Sequence, residues 1–402
     1  MVSRPTDRVT AAATAAYIQG GWAMSGLGAA LPELRDALGG LAGWYPPITG
    51  AALLVIGLVA LRRPQAERVG VSALGWASSA AAAGFAALTI TAFRPVSAIG
   101  ALVAGVATAR MIRLLPAVLA AQHRDAADRA ITRANAWSSV ASIAGPLAVG
   151  AASATVLGWR TGLVVAPAIA GLVTWWLTVP AAGAVPAGDN GYGAGVDEPG
   201  GSRRDRIRRT PVRASRPRSS RDPWVDAWLA LTVSITIEFA FVYFAATYLQ
   251  EESGLSKPAA AAGAASFAVG MAVARFAVRS VRPVRQLAVV IGGGFALMWF
   301  VPSPPFAIAG IAVAGVGTAL LYPFGIGRLM RRFPNSVEDG AARGALASGC
   351  ALLASPVLLG VLRSLTDVRI AYLSVPVLLA LLLALDPIVR RRGGAAAGPT
   401  GG

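Results

Sequence analysis

Few side chains in this sequence are equipped for chemistry, and one of them stands apart. Of 19 acidic residues, all but Glu238 fall in polar stretches or near the ends of apolar runs. Glu238 sits inside LTVSITIEFAFVYFAATYL, residues 231–249. Counted from residue 225, it is roughly 20 Å into an apolar helix at the α-helical rise. An ionisable group at such depth costs about 2.5–3.5 kcal/mol on membrane-insertion scales, so it is a functional candidate by default. A carboxyl there can cycle between protonated and charged forms, as proton coupling requires, or it can accept a substrate group. The alternative is a structural glutamate, neutral or paired with Arg, that locks helices together. Ser234 and Phe241 flank it at i−4 and i+3 on the same helix face.

Three basic residues also fall within apolar runs. Arg110 is deep enough to pair with Glu238 or with an anionic substrate group; otherwise it reaches back to the surface, as Arg113 is expected to do. Arg275 lies near the end of its run and reads as a topology or gate residue. Gln19, Trp22 and Gly26 fall at i, i+3 and i+7 of the first apolar run, one helix side that suits the wall of a binding site or ordinary helix packing.

Other chemistries find no support. A single histidine, His123, and a single cysteine, Cys350, cannot build a zinc site, an intrachain disulfide or most His-based catalysis. His123-Arg124-Asp125 spells a kinase triplet, but Ala130 stands where the partner Asn belongs. No GK[ST] phosphate loop occurs, and Gly292-Gly293-Gly294 reads as helix packing. Neither an enzyme, a cofactor nor a metal is expected.

These residues need elements to hold them, and composition says which. The chain has 402 residues, 55% hydrophobic and only 14% charged, with mean hydropathy +0.60. A soluble domain carries about 25% charged residues. Spanning helices need about 20 mostly apolar residues, and twelve candidates are present: 11–32, 45–61, 70–92, 96–120, 136–157, 161–182, 225–249, 258–279, 286–302, 305–328, 341–362 and 369–389. The second and ninth are short. The first is too long for the apolar core of a cleaved signal.

The net charge of +17 would suggest nucleic acid in a soluble protein. Here it follows topology. With the N-terminus inside, 27 basic residues fall in cytoplasmic segments and 6 in outer loops, a positive-inside pattern. Both termini are therefore expected in the cytoplasm, with anionic lipid headgroups as partners and no nucleic acid. Segment 183–223 is rich in Gly, Pro, Ser and Arg and cannot bury a core. The expected organisation is a bundle over 1–182, a disordered linker over 183–223, a second bundle over 224–392 and a disordered tail over 393–402.

The bundles repeat. AGVATA at 104–109 matches AGVGTA at 314–319, an offset of 210 that Arg133 and Arg343, Pro146 and Pro356, and Gly150 and Gly360 share. Arg160 and Arg369 differ by 209. The fold class is an all-α integral membrane protein of twelve transmembrane helices, two six-helix bundles in a parallel repeat, with a site between them near the midplane. Pro116, Pro146, Pro323 and Pro356 should kink or unwind their spans.

This layout resembles the major facilitator superfamily. Gly20 to Pro32 with Leu34-Arg35-Asp36, Gly145-Pro146 before Gly158-Trp159-Arg160, and Pro356 to Gly360 before Asp367-Val368-Arg369 are similar to its patterns. The family's inward gate between spans 2 and 3 corresponds to Glu67-Arg68-Val69-Gly70. Val71 replaces a basic residue there. The resemblance implies alternating-access transport, with Gln19, Trp22, Gly26, Arg110, Ser234, Glu238 and Phe241 as candidate substrate contacts. Glu238 would carry the proton, and Glu67, Arg68 and Arg275 would gate. Ile237-Glu238-Phe239, Tyr248-Leu249 and Gly254-Leu255-Ser256 are similar to the sugar–proton symporter branch. Gly150 after Gly145-Pro146 keeps half of the antiporter signature.

A proton-coupled monomeric secondary transporter of a small molecule in a bacterial inner membrane is therefore expected. Export is slightly favoured, because a largely apolar cavity suits amphiphiles. The alternatives are uptake of a sugar-like solute and a transporter-like receptor or regulator without flux.

Overall fold

The computed structural model describes residues 5–39, 45–62, 71–90, 93–123, 127–179, 224–277, 283–333 and 337–396. The expected linker, residues 397–402 of the expected tail and the gate residues Glu67 and Arg68 lie outside these; residues 393–396, expected in a disordered tail, are instead the last turn of a helix. Before the linker run α1 (Pro5–Leu38), α2 (Tyr45–Arg62), α3 (Val71–Leu88), α4 (Arg94–His123), α5 (Ala127–Ser153) and α6 (Gly158–Thr178). After it run α7 (Val225–Glu251), α8 (Lys257–Ala277), α9 (Val284–Phe300), α10 (Pro304–Thr318), α11 (Leu321–Met330), α12 (Val337–Leu365), α13 (Val368–Ala371) and α14 (Ser374–Ala396).

Among the described residues, eight helical segments are long and apolar enough to cross a membrane, α10 with α11 and α13 with α14 each counting as one. Helices α2 and α9 carry the shorter apolar stretches. Outward-facing Ile99, Leu102, Leu172, Trp176, Val289 and Val377 are exposed, as a surface meant for lipid requires.

Of the four prolines expected to deform spans, Pro116, Pro146 and Pro356 lie inside unbroken helices. Pro323 does not. The chain leaves the helix at Ala319 and restarts at Leu321. Proline lacks an N–H and its ring crowds the carbonyl four residues back, here that of Ala319. One span is therefore built from two consecutive helical pieces.

The C-terminal end of α6 and the N-terminal start of α7 mark one face of the molecule, the linker side. On this side Thr10 of α1 meets His123 of α4 at 2.8 Å. On the far side, ion pairs tie the halves. Arg35 of α1 reaches Glu251 of α7 at 3.4 Å, and Arg363 of α12 binds the same carboxylate. Lys257, which opens α8, pairs with Asp36 and lies 4.0 Å from Glu33. Burial and then Arg363 hold the Arg35 pKa below its usual value, while Glu251 acts in the opposite sense.

Backbone approaches reinforce this closure. A Cβ at Gly28 would strike the Val242 carbonyl of α7, and one at Gly150 would strike the Pro258 carbonyl of α8. Only glycine lets helices of the two halves come this close. Below that layer, the second half has an aromatic core. Phe241 stacks on Phe267 at 5.2 Å and touches Tyr372 at 5.7 Å. The Tyr248 hydroxyl donates to the Met298 carbonyl at 2.7 Å.

Candidate functional site

Between the halves lies a cavity of about 430 Å³. It runs from mid-depth to the linker-side ends of α4, α5 and α8. The first half supplies Tyr17, Gly20, Gly21 and Met24 of α1, and Met111, Ile112 and Leu115 of α4. Helix α5 adds Asn135, Ser138, Ser139 and Ser142. The second half supplies Ile235, Glu238 and Phe239 of α7, Phe267, Met271 and Arg275 of α8, and Tyr322 of α11.

Local sequence explains each wall. Asn135, Ser138, Ser139 and Ser142 fall at i, i+3, i+4 and i+7, so one face of α5 is polar. Helix α5 presses this face on α1 because Gly21 has no side chain; a Cβ there would overlap the Ser138 carbonyl. Ser142 donates to the Ser138 carbonyl at 2.9 Å and lies 3.3 Å from the Gly21 carbonyl. The restart of the helix at Leu321 puts Tyr322 in its first turn, where it is 40% exposed and faces the cavity.

Glu238 is the cavity's one acid among the described residues, and among these it has neither an ion pair nor a hydrogen-bond partner. Arg275 is the cavity's cation among the described residues. It donates to the Ser139 hydroxyl at 2.8 Å across the α5–α8 seam and shares the cavity lining with Glu238. The arrangement offers a carboxyl that can hold a proton or a cationic group, an apolar body, and a hydroxyl-bearing side.

Of the expected substrate contacts, Glu238 lines the cavity, and the other six lie outside its lining among the described residues. Gln19 is buried, donating to the Ser78 carbonyl at 2.8 Å while accepting from the Ser78 hydroxyl. The Trp22 indole donates to the Gly162 carbonyl at 2.9 Å, and Gly26 faces Leu163. That side of α1 binds α3 and α6, because an unmet amide or indole N–H is costly in an apolar interior. The opposite side, Tyr17 to Met24, carries the cavity. Arg110 is exposed and continues the outward stripe of Ile99, Val103 and Val106, away from Glu238. Ser234 donates to the Ala230 carbonyl at 2.8 Å and borders a separate space of about 20 Å³ beside Arg328. Phe241 belongs to the aromatic core.

Sequence reading also missed residues. The α5 serine stripe was legible as spacing. Tyr322 was not, because its exposure depends on the helix break. Asp386, 2% exposed, pairs with Arg328 of α11 at 2.6 Å. Its position near the end of an apolar run concealed a buried charge.

A cavity between helices from before and after the linker, with ion pairs across one face and an extent reaching the other, is the geometry of a multi-pass membrane carrier. The chain belongs to the Major Facilitator Superfamily, whose family model matches residues 13–337. It is a secondary transporter of that kind. No curated protein matches its sequence.

Solved structures share its fold. A bacterial homolog to the human lysosomal transporter Spinster, inward-facing and unoccupied, superposes with a TM-score of 0.70 at 14% identity, over 98% of each chain. Its inward-facing, occupied form gives 0.67 at 14% identity, over 97% of this chain and 98% of that one. The human organic anion transporter MFSD10 (TETRAN) gives 0.61 at 16% identity, over 95% of this chain and 100% of that one.

Proposed function

We propose that this transporter is proton-coupled through Glu238 and exports an amphiphilic small molecule by alternating access. The observation that carries the reading is a carboxylate without a protein partner among the described residues, opening on the cavity between the halves. Such a group takes a proton or a cationic head from whichever side the cavity faces. The walls favour an amphiphile over a sugar. Met24, Met111, Ile112, Leu115, Phe239 and Met271 offer apolar contact. Ser139 and Ser142 already donate to carbonyls of their own helix, at 3.2 and 2.9 Å. A hydroxylated solute would find those donors committed.

The positive-inside pattern and the shared offset of 210 support the topology in the rest of the reading. It comprises twelve spans in two bundles, over 1–182 and 224–392, both termini in the cytoplasm of a bacterial cell, and a monomer in the inner membrane. The linker side is then cytoplasmic, and this conformation faces inward, as the Spinster homolog does.

The test uses proteoliposomes with an imposed pH gradient and a cationic amphiphilic dye, with a neutral sugar as comparison. Glu238→Gln is expected to abolish uphill dye movement while leaving binding and downhill exchange largely intact. Uphill movement equal to that of the parent would show that the proton is carried elsewhere. Gradient-driven accumulation of the sugar instead of the dye would reverse both substrate and direction.

A further inference from the structure

Two opposite charges line the cavity without pairing. Glu238 and Arg275 both face it, and among the described residues neither makes an ion pair. A charge held among apolar side chains is costly until an opposite charge or hydrogen bonds compensate it. The cavity they share, about 430 Å³, falls in the range of about 300–1,000 Å³ usual for small-molecule pockets.

The guanidinium is turned inward. Helices α5 and α8 touch at Gly150 and Ala262 near the far side. From there Ser139 is 11 residues along α5 and Arg275 is 13 along α8, roughly 16 and 20 Å toward the linker side. An arginine so close to a helix end ordinarily extends outward to water and headgroups. Arg275 instead reaches back toward mid-depth, where one Nη donates to the Ser139 hydroxyl at 2.8 Å. A hydroxyl is neutral and leaves the charge uncompensated. The rest of the five-donor fork has no partner among the described residues. One turn of α5 nearer the linker side, Asn135 is exposed on the same cavity, and its side-chain amide also has no partner among the described residues.

We propose that Arg275, with Asn135, seats an oxyanion of the substrate, and that the transported molecule is a zwitterionic amphiphile. Its cationic group meets Glu238. Its carboxylate or other oxyanion meets the planar fork of Arg275, whose paired N–H donors match two oxygens. Phe239 follows Glu238, and Met271 stands one turn before Arg275, both on the cavity wall. Apolar surface therefore lies beside each charge, and the body of an amphiphile rests there. The proposal rests on Glu238 as the seat of a cationic head and adds the group at the other pole. Arg275 is then a specificity-determining residue, because a purely cationic amphiphile leaves its charge uncompensated.

The experiment compares two compounds, N-octyl-N,N-dimethylglycine and its ethyl ester. Both carry the same tail and cationic centre, and only the first has a carboxylate. Calorimetric titration uses the full chain in lipid nanodiscs, with empty nanodiscs as the blank. The parent is expected to bind the zwitterion about tenfold more tightly than the ester, the difference a hydrogen-bonded charge makes. Arg275→Gln should bind the two alike, losing affinity for the zwitterion and keeping that for the ester within about twofold. A clamp between α5 and α8 with no ligand role would weaken both compounds together and leave their ratio unchanged. Equal binding of the two by the parent, or a ratio that survives Arg275→Gln, overturns the proposal. Should Arg275→Gln fail to fold, as melting reports, Arg275→Lys and Asn135→Ala decide: each should lower the ratio, and a ratio unchanged in both overturns the proposal. Glu238→Gln should weaken both compounds equally, since both carry the cation. No loss for either compound would remove Glu238 as the seat of the cation, and the zwitterion with it. A parent that binds the ester as well as the zwitterion, and loses both in Glu238→Gln, would leave the Glu238 reading standing and remove the oxyanion site alone.

Discussion

Helices α3 and α4 in the first half meet as α9 and α10 do in the second, yet the cavity walls the two halves present are unlike. A Cβ at Gly84 would strike the backbone of Ala104, and one at Gly294 the backbone of Ala314. Gly100 meets Leu88 as Gly310 meets Met298. Each pair of equivalents is separated by 210 residues. Arg160 donates to the Thr89 carbonyl at 3.0 Å and lies 4.9 Å from the Trp159 ring. Arg369 donates to the Trp299 carbonyl at 3.0 Å and lies 4.7 Å from that residue's ring. Thr89 and Trp299 are again 210 residues apart.

The cavity divides differently. The first half offers Tyr17 and the α5 hydroxyls, and the second offers the charges Glu238 and Arg275. Helix-on-helix contacts constrain both halves alike, because small residues must sit where backbones cross. Cavity positions carry no such constraint, so one half can hold the charge and the other the neutral wall.

The comparison can be broken at its skeleton first. Gly84→Ala and Gly294→Ala should each destabilise by about 1–3 kcal/mol, because the new methyl meets backbone and cannot be relieved by a side-chain rotation. Melting of the detergent-solubilised protein measures this. Clear loss in one half with tolerance in the other would mean that the shared offset no longer reports equivalent contacts.

A smaller effect is expected at the arginine clamps. Arg160→Gln and Arg369→Gln should each cost about 1 kcal/mol, the usual worth of such a bond. Arg369, the less exposed of the two, should lose no less than Arg160. The same melts decide it, and a larger loss at Arg160 would separate the two clamps.

The smallest change is on the neutral wall. Ser142→Ala should alter apparent affinity by about two- to five-fold, the equivalent of 0.5–1 kcal/mol. It should leave the pH dependence of transport where it was. Dye transport across a pH series reads both. A displaced pH profile would move titration chemistry into the first half and dissolve the division between the walls.

Much of this was legible in the residues. Apolar runs of spanning length, arginines crowded at one set of their ends, and a repeated AGVxTA are local or periodic signals. They survive translation into helices because each helix satisfies its own backbone. Glu238 was legible for the same reason, since any charge within such a run must be explained. The surroundings of Glu238 were not. Gln19, Trp22 and Gly26 share a helix face with a plausible binding chemistry, yet that face is spent on Ser78, Gly162 and Leu163. A helical wheel shows which residues lie together, not which neighbour they meet. Tyr322 reaches the cavity through a break at Ala319 and Leu320, and Arg275 reaches Ser139 across 136 residues of chain.

The amino-acid sequence by itself determined the apolar helical runs, the one-sided crowding of arginines, the repeated motif and the single deep acid, because hydrophobicity and charge act residue by residue against lipid and water. Only the tertiary structure decided which side of each helix became wall and which became seam. That choice depends on where backbones cross, and the crossings are made by glycines whose partners lie in other helices.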